Sequence, residues 1–381
     1  MLDIKFITEN IDAVKKGVAR KHAKIDIDKL IKLYKERNEK LQKVESLRAR
    51  QNEQNQSIAT AKSKIEKEKM LKEMKKVKDE TKTLEPEIRK LETQIDELAV
   101  LIPNPPLASA PDGTEEDNKP CKTHGKKPKF NFAPQDHIKL GKNLDVIDIE
   151  RGVRTSGTRF YYLKNEAVLL EFALVQHVLH KLVSKGFNPI IPPVLVKEEA
   201  MFATGFFPAD RNEIYHVNPK SEQNPENDDL FLVGTSEVPL TMLHYTEILP
   251  EEKLPIRYCG FSSCFRRESG SYGKDVAGII RVHQFDKIEM FSFCHPDKSE
   301  EEHEFIRGIE EEIMQELGFH YQVVNICAGD LGAPAAKKYD IEVWIPTQER
   351  FRELTSCSNC TDFQARRSKI RYKTPDGKNE Y

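Results

Sequence analysis

The first hundred residues of this 381-residue chain lack almost everything that a compact mixed fold needs for its turns and its core. No glycine occurs in residues 18–112, Pro86 is the one proline in residues 1–102, and Phe6 and Tyr34 are the only aromatic residues before position 101. Glycine and proline form turns and aromatic side chains fill cores, so their scarcity predicts that this stretch is almost entirely helical.

Other absences concern the whole chain and exclude several classes of protein. Seven cysteines, an odd number spread over a long chain, do not make a disulfide scaffold and favour a reducing cytoplasm. No run of 18 apolar residues occurs, and the amino terminus lacks the basic and apolar segments of a signal peptide. We therefore expect neither a membrane span nor secretion. The 60 Lys and Arg nearly balance 62 Asp and Glu, but the net charge of −2 averages over unlike parts.

Apolar residues in the second half of the glycine-free stretch recur with alternating spacings of four and three, which is the seam of a coiled coil. A second seam with more polar occupants runs from Ile27 to Ile58, and a break near residues 63–67 separates the two. The sequence therefore predicts an antiparallel hairpin of two helices, each about 50 Å long, with Pro86 inside the second. The apolar seam consists of Met70, Met74, Val77, Thr81, Leu84, Ile88, Leu91, Ile95 and Leu98.

Charge is distributed unevenly along this hairpin. Residues 62–78 contain eight lysines and three glutamates, a local net charge of +5. Such a run is either a solvated helix face or a surface that contacts a phosphate backbone, and the run alone leaves both interpretations open.

A proline-rich stretch at residues 102–113 ends the helical region. We place a linker at 103–130, between a helical arm (1–102) and a second domain (131–381). The second domain mixes helices with β-like runs that regular helices do not separate, so we predict an α+β fold rather than a doubly wound parallel sheet. Its helix at 166–185 is apolar on nearly all sides and should be buried or lie at an interface. The other predicted helix is 299–317, and the predicted strands are 256–258, 279–282, 287–293 and 341–345.

Four segments of the second domain concentrate polar side chains in β-like surroundings. Arginine supplies a planar, permanently charged fork for phosphate or carboxylate groups, and glutamate can hold Mg²⁺. Each segment alone is compatible with an ion pair at a strand edge, whereas four together favour a site for a polyphosphate and a metal. The segments are 232–239, 264–268, 280–289 and 351–358.

The order and spacing of these motifs resemble the bacterial-type seryl-tRNA synthetases, which are class II aminoacyl-tRNA synthetases. The resemblance covers essentially the whole chain and implies a class II catalytic domain built on an antiparallel sheet. The matching segments are residues 265–268 and 281–285 (motif 2), 186–193 with Pro193 (motif 1), 235–237 (the serine-binding loop), 352–367 (the downstream strand and turn) and the hairpin with Ile102-Pro-Asn (the tRNA-binding arm).

The resemblance implies that serine and ATP form enzyme-bound seryl-adenylate, and that the seryl group then moves to the terminal adenosine of tRNA(Ser). It also implies charging of tRNA(Sec) and a homodimer formed through the motif 1 helix at 166–185. In such enzymes catalysis is positioning and electrostatic stabilisation, with no covalent attachment to a side chain. The lysines that would contact the tRNA are Lys62, Lys64, Lys69, Lys72 and Lys76.

The same resemblance implies how serine is bound. Thr235 and Glu237 would receive the ammonium group, and Glu289 would receive the hydroxyl group. A buried acceptor that alanine leaves unpaired costs about 1–3 kcal/mol, so reading the hydroxyl discriminates better than shape alone. The residues implied for serine are Thr235, Ser236, Glu237, Arg266 and Glu289.

For ATP, the resemblance implies that Arg266 holds the serine carboxylate and the α-phosphate, while Glu268 contacts the adenine end. Glu353 and Ser356 would face the phosphates through Mg²⁺ and would be its ligands. The implied catalytic residues are Arg266, Glu268 and Glu353. The residues implied for ATP are Arg266, Arg267, Glu268, Arg281, Val282, Phe285, Glu353, Leu354, Thr355 and Ser356.

Two further features carry weaker signals. Cys357 and Cys360 form a single Cys-x-x-Cys pair, which without a second pair is weak evidence for zinc. His283 lies in a strand-like pattern, where a packed or hydrogen-bonded histidine is expected rather than a general base.

The chain also departs from the family pattern. Arg267 stands where the family has a small residue, and residues 276–278 lack an arginine common in that loop. The family continues into a third motif beyond Tyr381, so we expect impaired activation, whether the sequence is a fragment or a natural truncation. The alternative to an enzyme is a non-catalytic tRNA-binding or interaction protein derived from a truncated synthetase.

Overall fold

The computed structural model describes the backbone of residues 2–60, 64–269 and 278–381, and the side chains of these residues except 56–60 and 64–69. The chain divides into two compact units, Met1–Pro103 and Asn104–Tyr381. The described helices of the first unit are α1 (Ile4–Glu9), α2 (Ile11–Arg20), α3 (Ile27–Thr60) and α4 (Lys64–Ala99).

Helices α3 and α4 form the predicted antiparallel hairpin. Ion pairs join Arg37 to Glu92 and Lys40 to Glu87, so residue numbers fall along α4 as they rise along α3. Both nitrogens of the Arg37 fork reach the same oxygen of Glu92, at 3.0 and 2.6 Å. Exposed ion pairs add little free energy each, so they chiefly set the register of a hairpin whose polar seam would otherwise specify it weakly.

The apolar seam lies inside the hairpin, as predicted. Val77, Ile88 and Leu91 of α4 are buried, as is Val44 of α3, and the two helices are in contact. At its base the hairpin packs against α1 and α2, and the cluster there makes the first unit a core of its own. The most buried members of this cluster are Ile7, Val14, Leu30, Ala99 and Ile102.

The predicted break between the two helices was placed too late. Helix α4 already begins at Lys64 and includes residues 64–67. The rest of the predicted break falls at residues 61–63, outside the described residues. The helix continues through Pro86.

The second unit contains the remaining elements. Its described helices are α5 (His137–Asn143), α6 (Ile149–Ser156), α7 (Glu166–Ser184), α8 (Glu198–Thr204), α9 (Glu237–Met242), α10 (Ser299–Glu316) and α11 (Phe363–Ser368). Its described strands are β1 (Lys119–His124), β2 (Ile147–Asp148), β3 (Tyr162–Leu163), β4 (Asn188–Ile190), β5 (Leu195–Lys197), β6 (His216–Val217), β7 (Leu230–Leu232), β8 (Ile248–Pro250), β9 (Ile256–Phe265), β10 (Gln284–Phe293), β11 (Tyr321–Asn325), β12 (Lys337–Ile345), β13 (Arg350–Asn359), β14 (Arg371–Lys373) and β15 (Asn379–Glu380).

Two sheets position the site. One is antiparallel with strand order β1-β11-β12-β13, and the other has the order β10-β9-β4, in which β9 and β10 are antiparallel and β4 is parallel to β9. Helices α7 and α10 cover one face, where the core forms. The predicted α+β class with an antiparallel catalytic sheet is confirmed. The most buried core side chains are Leu182, Ile309, Tyr321, Val323 and Ile341.

The segment predicted as a linker carries structure of its own. Asn104 donates from Nδ2 to the carbonyl oxygens of Pro334 and Cys360, at 2.8 Å each. Strand β1 pairs with β11 although all six of its side chains are exposed. Because an edge strand with six exposed side chains shows no apolar alternation, its sequence looks like a connector.

One predicted strand is absent at its predicted place. Residues 279–282 form a bend, and β10 begins only at Gln284. The backbone N–H of Ile279 donates to His137 Nε2, and that of His283 donates to the carbonyl oxygen of Arg159. These backbone groups are therefore satisfied by α5 and a loop, so the apolar run needs no strand partner.

Helix α7 is apolar yet largely exposed in the single chain. The exposed fractions are 70% for Leu169, 61% for Leu170 and 54% for Phe172. The sequence predicted no membrane span because no apolar run is unbroken. By length and composition, however, α7 is apolar enough to cross a membrane, the one such helix among the described residues. The polar side of α7, however, packs within the second unit, where Lys181 pairs with Glu312 and Glu316 of α10.

Candidate active site

A cavity of about 1670 Å³ lies between the β9–β10 pair and β13. Its predicted site residues come from four separate stretches of sequence, and it combines apolar walls with a few convergent charged groups, as ligand sites do. The predicted site residues that line it are Thr235, Glu237, Arg266, Phe285, Glu289, Glu353, Leu354, Thr355 and Ser356.

At one end, two carboxylates are linked through a threonine. The hydroxyl group of Thr235 donates to Glu289 Oε2 at 2.7 Å, and it accepts from the backbone N–H of Glu237 at 3.2 Å. Lys287 Nζ lies 2.6 Å from the same Glu289 oxygen. Glu289 is therefore held by two donors and offers its remaining lone pairs to the cavity.

Glu237 begins helix α9 and lies at the cavity wall. Burial raises the pKa of its carboxyl group, and the charge of Glu289 raises it further, while a hydrogen bond from Gln364 opposes the shift. The Gln364 Nε2 atom donates to Glu237 Oε1 at 2.6 Å. Two neighbouring carboxyl groups in a desolvated pocket favour binding of a cation such as an ammonium group.

Ser236 does not face the cavity with its neighbours. Its side chain is fully buried, and its hydroxyl group shares a 2.7 Å hydrogen bond with that of Ser262 on β9. Helix α9 approaches this closely because β9 has glycine at position 260, where a Cβ atom would meet Ser236 and Leu240 at 3.1 Å. The Ser236 side chain therefore has a packing role, and the serine contact predicted for this residue stays a prediction.

Arg266 follows the last residue of β9 and reaches into the cavity. Its Nε donates to the carbonyl oxygen of Gly234 at 3.3 Å, and its guanidinium carbon lies 5.1 Å from the ring centroid of Phe285. A cation over an aromatic face is attracted by the ring. The guanidinium group is thus oriented before any ligand is bound.

His283 fixes the backbone that carries Arg266. The backbone N–H of Arg266 donates to the carbonyl oxygen of His283, and His283 Nδ1 donates back to the carbonyl oxygen of Arg266 at 2.8 Å. The imidazole ring also packs against Phe160 and Tyr215. The expectation of a packed, hydrogen-bonded histidine is confirmed.

Four residues predicted for ATP lie outside the cavity lining, beyond the ends of β9 and β10. The backbone N–H of Arg267 donates to the carbonyl oxygen of Glu213, the Glu268 carboxylate pairs with Arg281, and Val282 is buried. The intervening loop is outside the described residues at positions 270–277, including positions 276 and 277, where the family pattern is broken.

At the other end of the cavity, a β-bulge arranges the polar side chains of β13. Ser356 is opposite Asp340 and Glu353 is opposite Glu342, so Leu354 is the extra residue. Side chains alternate between the two faces of a regular strand, so Glu353 and Ser356, which are three positions apart, would face opposite sides. The bulge brings them to one face, as bulges next to active sites do.

Lys338 offsets part of the negative charge of this face. Its ammonium group lies 2.8 Å from Asp340 and 3.8 Å from Glu353. Burial raises the pKa of Asp340 to about 6, although Lys338 opposes the shift. The exposed Glu353 carboxylate and Ser356 hydroxyl thus stand beside a cation, a combination suited to phosphate oxygens.

Behind β13, Cys357 faces away from this polar surface. It is buried beside Glu310, and burial raises the pKa of its thiol. Burial also raises the pKa of the Glu310 carboxyl group to about 8. Among the residues that the structure describes, no three His, Cys, Asp or Glu side chains converge as a metal cluster.

Sequence reasoning missed several residues that shape the cavity. Lys287 stands two positions before Glu289 on β10, and this alternation could have revealed it. Gln364 and Lys338 had no such signal, because the fold brings them to Glu237 and Glu353 from distant segments.

The basic arm can be described in part. Lys72 and Lys76 are exposed on α4. Lys62 and the side chains of Lys64 and Lys69 lie outside the described residues.

The fold and the cavity together define a class II aminoacyl-tRNA synthetase core. Residues 215–381 match the family model described as the tRNA synthetase class II core domain (G, H, P, S and T), and residues 1–106 match that of the seryl-tRNA synthetase N-terminal domain.

Whole-chain relatives narrow the family. The chain is 43% identical to a serine–tRNA ligase of Treponema denticola, over 100% of this chain and 89% of that protein. It is 44% identical to one of Thermobifida fusca, over 99% and 88%. The chain belongs to the seryl-tRNA synthetase family, and the non-catalytic alternative is not favoured.

Solved structures agree. A seryl-tRNA synthetase from Pyrococcus horikoshii complexed with ATP is 38% identical, with a TM-score of 0.92 over 100% of this chain and 89% of that chain. The cytoplasmic serine–tRNA ligase of Naegleria fowleri in complex with AMP is 31% identical, with a TM-score of 0.86 over 100% and 88%.

Proposed function

We propose that this chain is a cytoplasmic enzyme that activates L-serine with ATP and transfers the seryl group to tRNA(Ser), and also to tRNA(Sec). The observation that carries the proposal is the cavity that holds Glu289, Thr235 and Glu237 at one end and Arg266 beside Phe285. The relatives that share this chain's full length are serine–tRNA ligases.

Serine binds at the carboxylate end. Glu237 and Thr235 receive its ammonium group, and Glu289 accepts the hydrogen bond of its hydroxyl group. Because Lys287 and Thr235 occupy one oxygen of Glu289, the other remains for the substrate. An amino acid without the hydroxyl leaves this acceptor unpaired, which disfavours alanine.

Activation proceeds by attack of a serine carboxylate oxygen on the α-phosphorus of ATP, which breaks the bond to the β-phosphate bridge and releases pyrophosphate. Arg266 contacts the serine carboxylate and the α-phosphate, so it aligns the reactants and stabilises the charge that develops between them. Phe285 forms a wall for the nucleotide. A hydroxyl group of the terminal tRNA adenosine then attacks the seryl carbonyl carbon and releases AMP.

The phosphates lie toward β13 in this arrangement, where Glu353 and Ser356 are the ligands that we propose for Mg²⁺. Mg²⁺ in nucleotide sites uses one or two carboxylates, waters and the phosphates rather than an all-protein cage. One exposed carboxylate and one hydroxyl on the same face of a bulged strand fit that mode. When bound, Mg²⁺ would neutralise phosphate charge.

The other ATP contacts are proposed for the stretches that follow β9 and precede β10. Glu268, held by Arg281, would contact the adenine end, with Arg267 and Val282 beside it. A main-chain hydrogen bond from Arg266 to His283 and a side-chain bond from His283 Nδ1 to the carbonyl oxygen of Arg266 hold the two stretches together. Leu354 and Thr355 complete the nucleotide wall on β13.

The arm is proposed to bind the tRNA through its basic tip. Replacing residues 45–83 by a short glycine-rich turn keeps the base of the hairpin and the Arg37–Glu92 pair. We expect the affinity for tRNA(Ser) to fall by at least about 100-fold, since phosphate contacts dominate such affinity. Affinity for a non-hydrolysable seryl-adenylate analogue should stay within about twofold, as the site lies in the other unit. Fluorescence titration with both ligands measures this.

A milder variant controls for loss of the arm itself. Replacing Lys72 and Lys76 by glutamine should lower the slope of log affinity against log salt by about 2. Unchanged tRNA affinity after truncation would refute the role given to the arm, and weakened analogue binding would refute the separation of the two functions.

A homodimer through α7 is proposed because its exposed leucine and phenylalanine side chains form an apolar face at the predicted motif 1 helix. Replacing Leu169 and Phe172 by aspartate should convert a dimer to a monomer, as buried charges without partners disrupt an interface. Light scattering after size exclusion measures the mass. Leu71→Asp, an exposed leucine in the other unit, is the matched control and should leave the dimer intact; a dimer in both variants would contradict the proposal.

A further inference from the structure

Gln364 lies beneath the carboxylate end of the cavity, on a segment that sequence reasoning did not connect with serine. Its side chain is only 7% exposed, and it donates two hydrogen bonds from Nε2. One goes to Glu237 Oε1 at 2.6 Å, and the other goes to the carbonyl oxygen of Thr204 at 3.1 Å. Both amide protons are therefore used, which fixes the orientation of the amide group.

The helix that carries Gln364 is itself firmly held. In α11, Phe363 is fully buried, and Arg367 donates to the carbonyl oxygens of Phe202 and Phe207. The hydroxyl group of Ser368 donates to the backbone of Gln364 at 2.7 Å. The amide group thus sits on a rigid support, as groups that position a binding site require.

Glu237 needs such a support more than an ordinary carboxylate does. It stands near Glu289, and both burial and the charge of Glu289 disfavour its ionised form, whereas the charges of Lys287 and Arg266 favour it. The backbone N–H of Glu237 donates to the hydroxyl group of Thr235, so this N–H is not available to hold the Glu237 carboxylate. The Gln364 amide group fixes Oε1 and leaves Oε2 for a ligand.

We infer that Gln364 is a positioning residue for serine, one that keeps Glu237 oriented and ionised to receive the substrate ammonium group. The inference rests on the proposed serine pocket. In this role Gln364 acts through Glu237, to which its amide group is bonded.

The test compares Gln364→Met, which keeps the length of the side chain, with the unchanged chain. Affinity for a seryl-adenylate sulfamoyl analogue is measured by calorimetry between pH 5.5 and 8. Loss of a charge-assisted hydrogen bond should weaken binding by about 10-fold or more near pH 6. Removing a donor that favours the ionised carboxyl raises its pKa, so the affinity should recover as the pH rises.

Two control variants distinguish failure of the positioning role of Gln364 from failure of the proposed serine pocket. Gln322→Met removes an amide-to-carboxylate bond of the same 2.6 Å length, to Glu342 on the sheet, and should leave analogue affinity unchanged. Glu237→Gln should weaken binding at every pH, because that side chain cannot ionise. If Glu237→Gln has no effect, the proposed pocket is wrong. If Glu237→Gln weakens binding while Gln364→Met either matches the unchanged chain or weakens binding equally at every pH, the positioning role is wrong.

Discussion

Replacing Arg266 by alanine should reduce serine-dependent pyrophosphate exchange by about 1000-fold relative to the unchanged chain, since a group aimed at developing charge is worth about 10²–10³ in rate. The guanidinium group is held over Phe285 and by the carbonyl oxygen of Gly234, so its position is set before the substrates arrive. Exchange rates with saturating serine and ATP measure the effect.

Two further variants show whether the loss of exchange activity is specific to the Arg266 guanidinium group. Arg266→Lys keeps the charge but not the planar fork, so we expect most of the loss to remain. Arg267→Ala removes the adjacent arginine, which lies outside the cavity lining, and its effect should be at least about tenfold smaller than that of Arg266→Ala. Arg266 is exposed, so the melting temperature should change little in all three variants. Equal losses at 266 and 267 would show that the cavity does not mark the reacting centre.

The parts of the fold that could be predicted from sequence are those with a long repeated period. The seam of α4 repeats over nine positions, and no turn residue competes with it, so the hairpin follows from the pattern alone. Strand β1 has the opposite character. Its side chains are all exposed, and only its backbone pairing with β11 makes it a strand. Pairing between segments some 200 residues apart leaves no local signal.

The site divides in the same way. Thr235, Glu237 and Arg266 could be predicted because they stand in short motifs whose order resembles a known family. The bulge at Leu354 could not, since a bulge depends on how two strands pair. The direction of the Ser236 side chain could not be predicted either, because it depends on the close approach of α9 to Gly260.

At the carboxylate end of the cavity, two oppositely charged side chains depend on each other, so the effect of replacing either one alone is hard to interpret. Glu289 and Lys287 form an ion pair in a partly buried position, and the hydroxyl group of Thr235 donates to the same Glu289 oxygen, Oε2. Replacing one member would leave its partner charged and unpaired. The resulting loss of activity would then reflect the cost of burying an unpaired charge rather than the loss of a contact with serine. A test of hydroxyl recognition therefore has to remove both charges together.

The double variant Glu289→Leu with Lys287→Met removes both charges, and we expect it to lower the ratio of kcat/KM for serine to that for alanine by at least about 50-fold. A site built to hydrogen-bond a substrate hydroxyl rejects the analogue without it by about 10⁴–10⁵, and an apolar wall in its place discriminates by about 10–200-fold. The Lys287→Met single variant, which keeps the Glu289 acceptor, should preserve most of the preference for serine. Pyrophosphate exchange with each amino acid gives the ratios, and the KM for ATP should stay within about twofold because Arg266 and Phe285 are untouched. A double variant that still prefers serine as strongly as the unchanged chain would show that another group reads the hydroxyl.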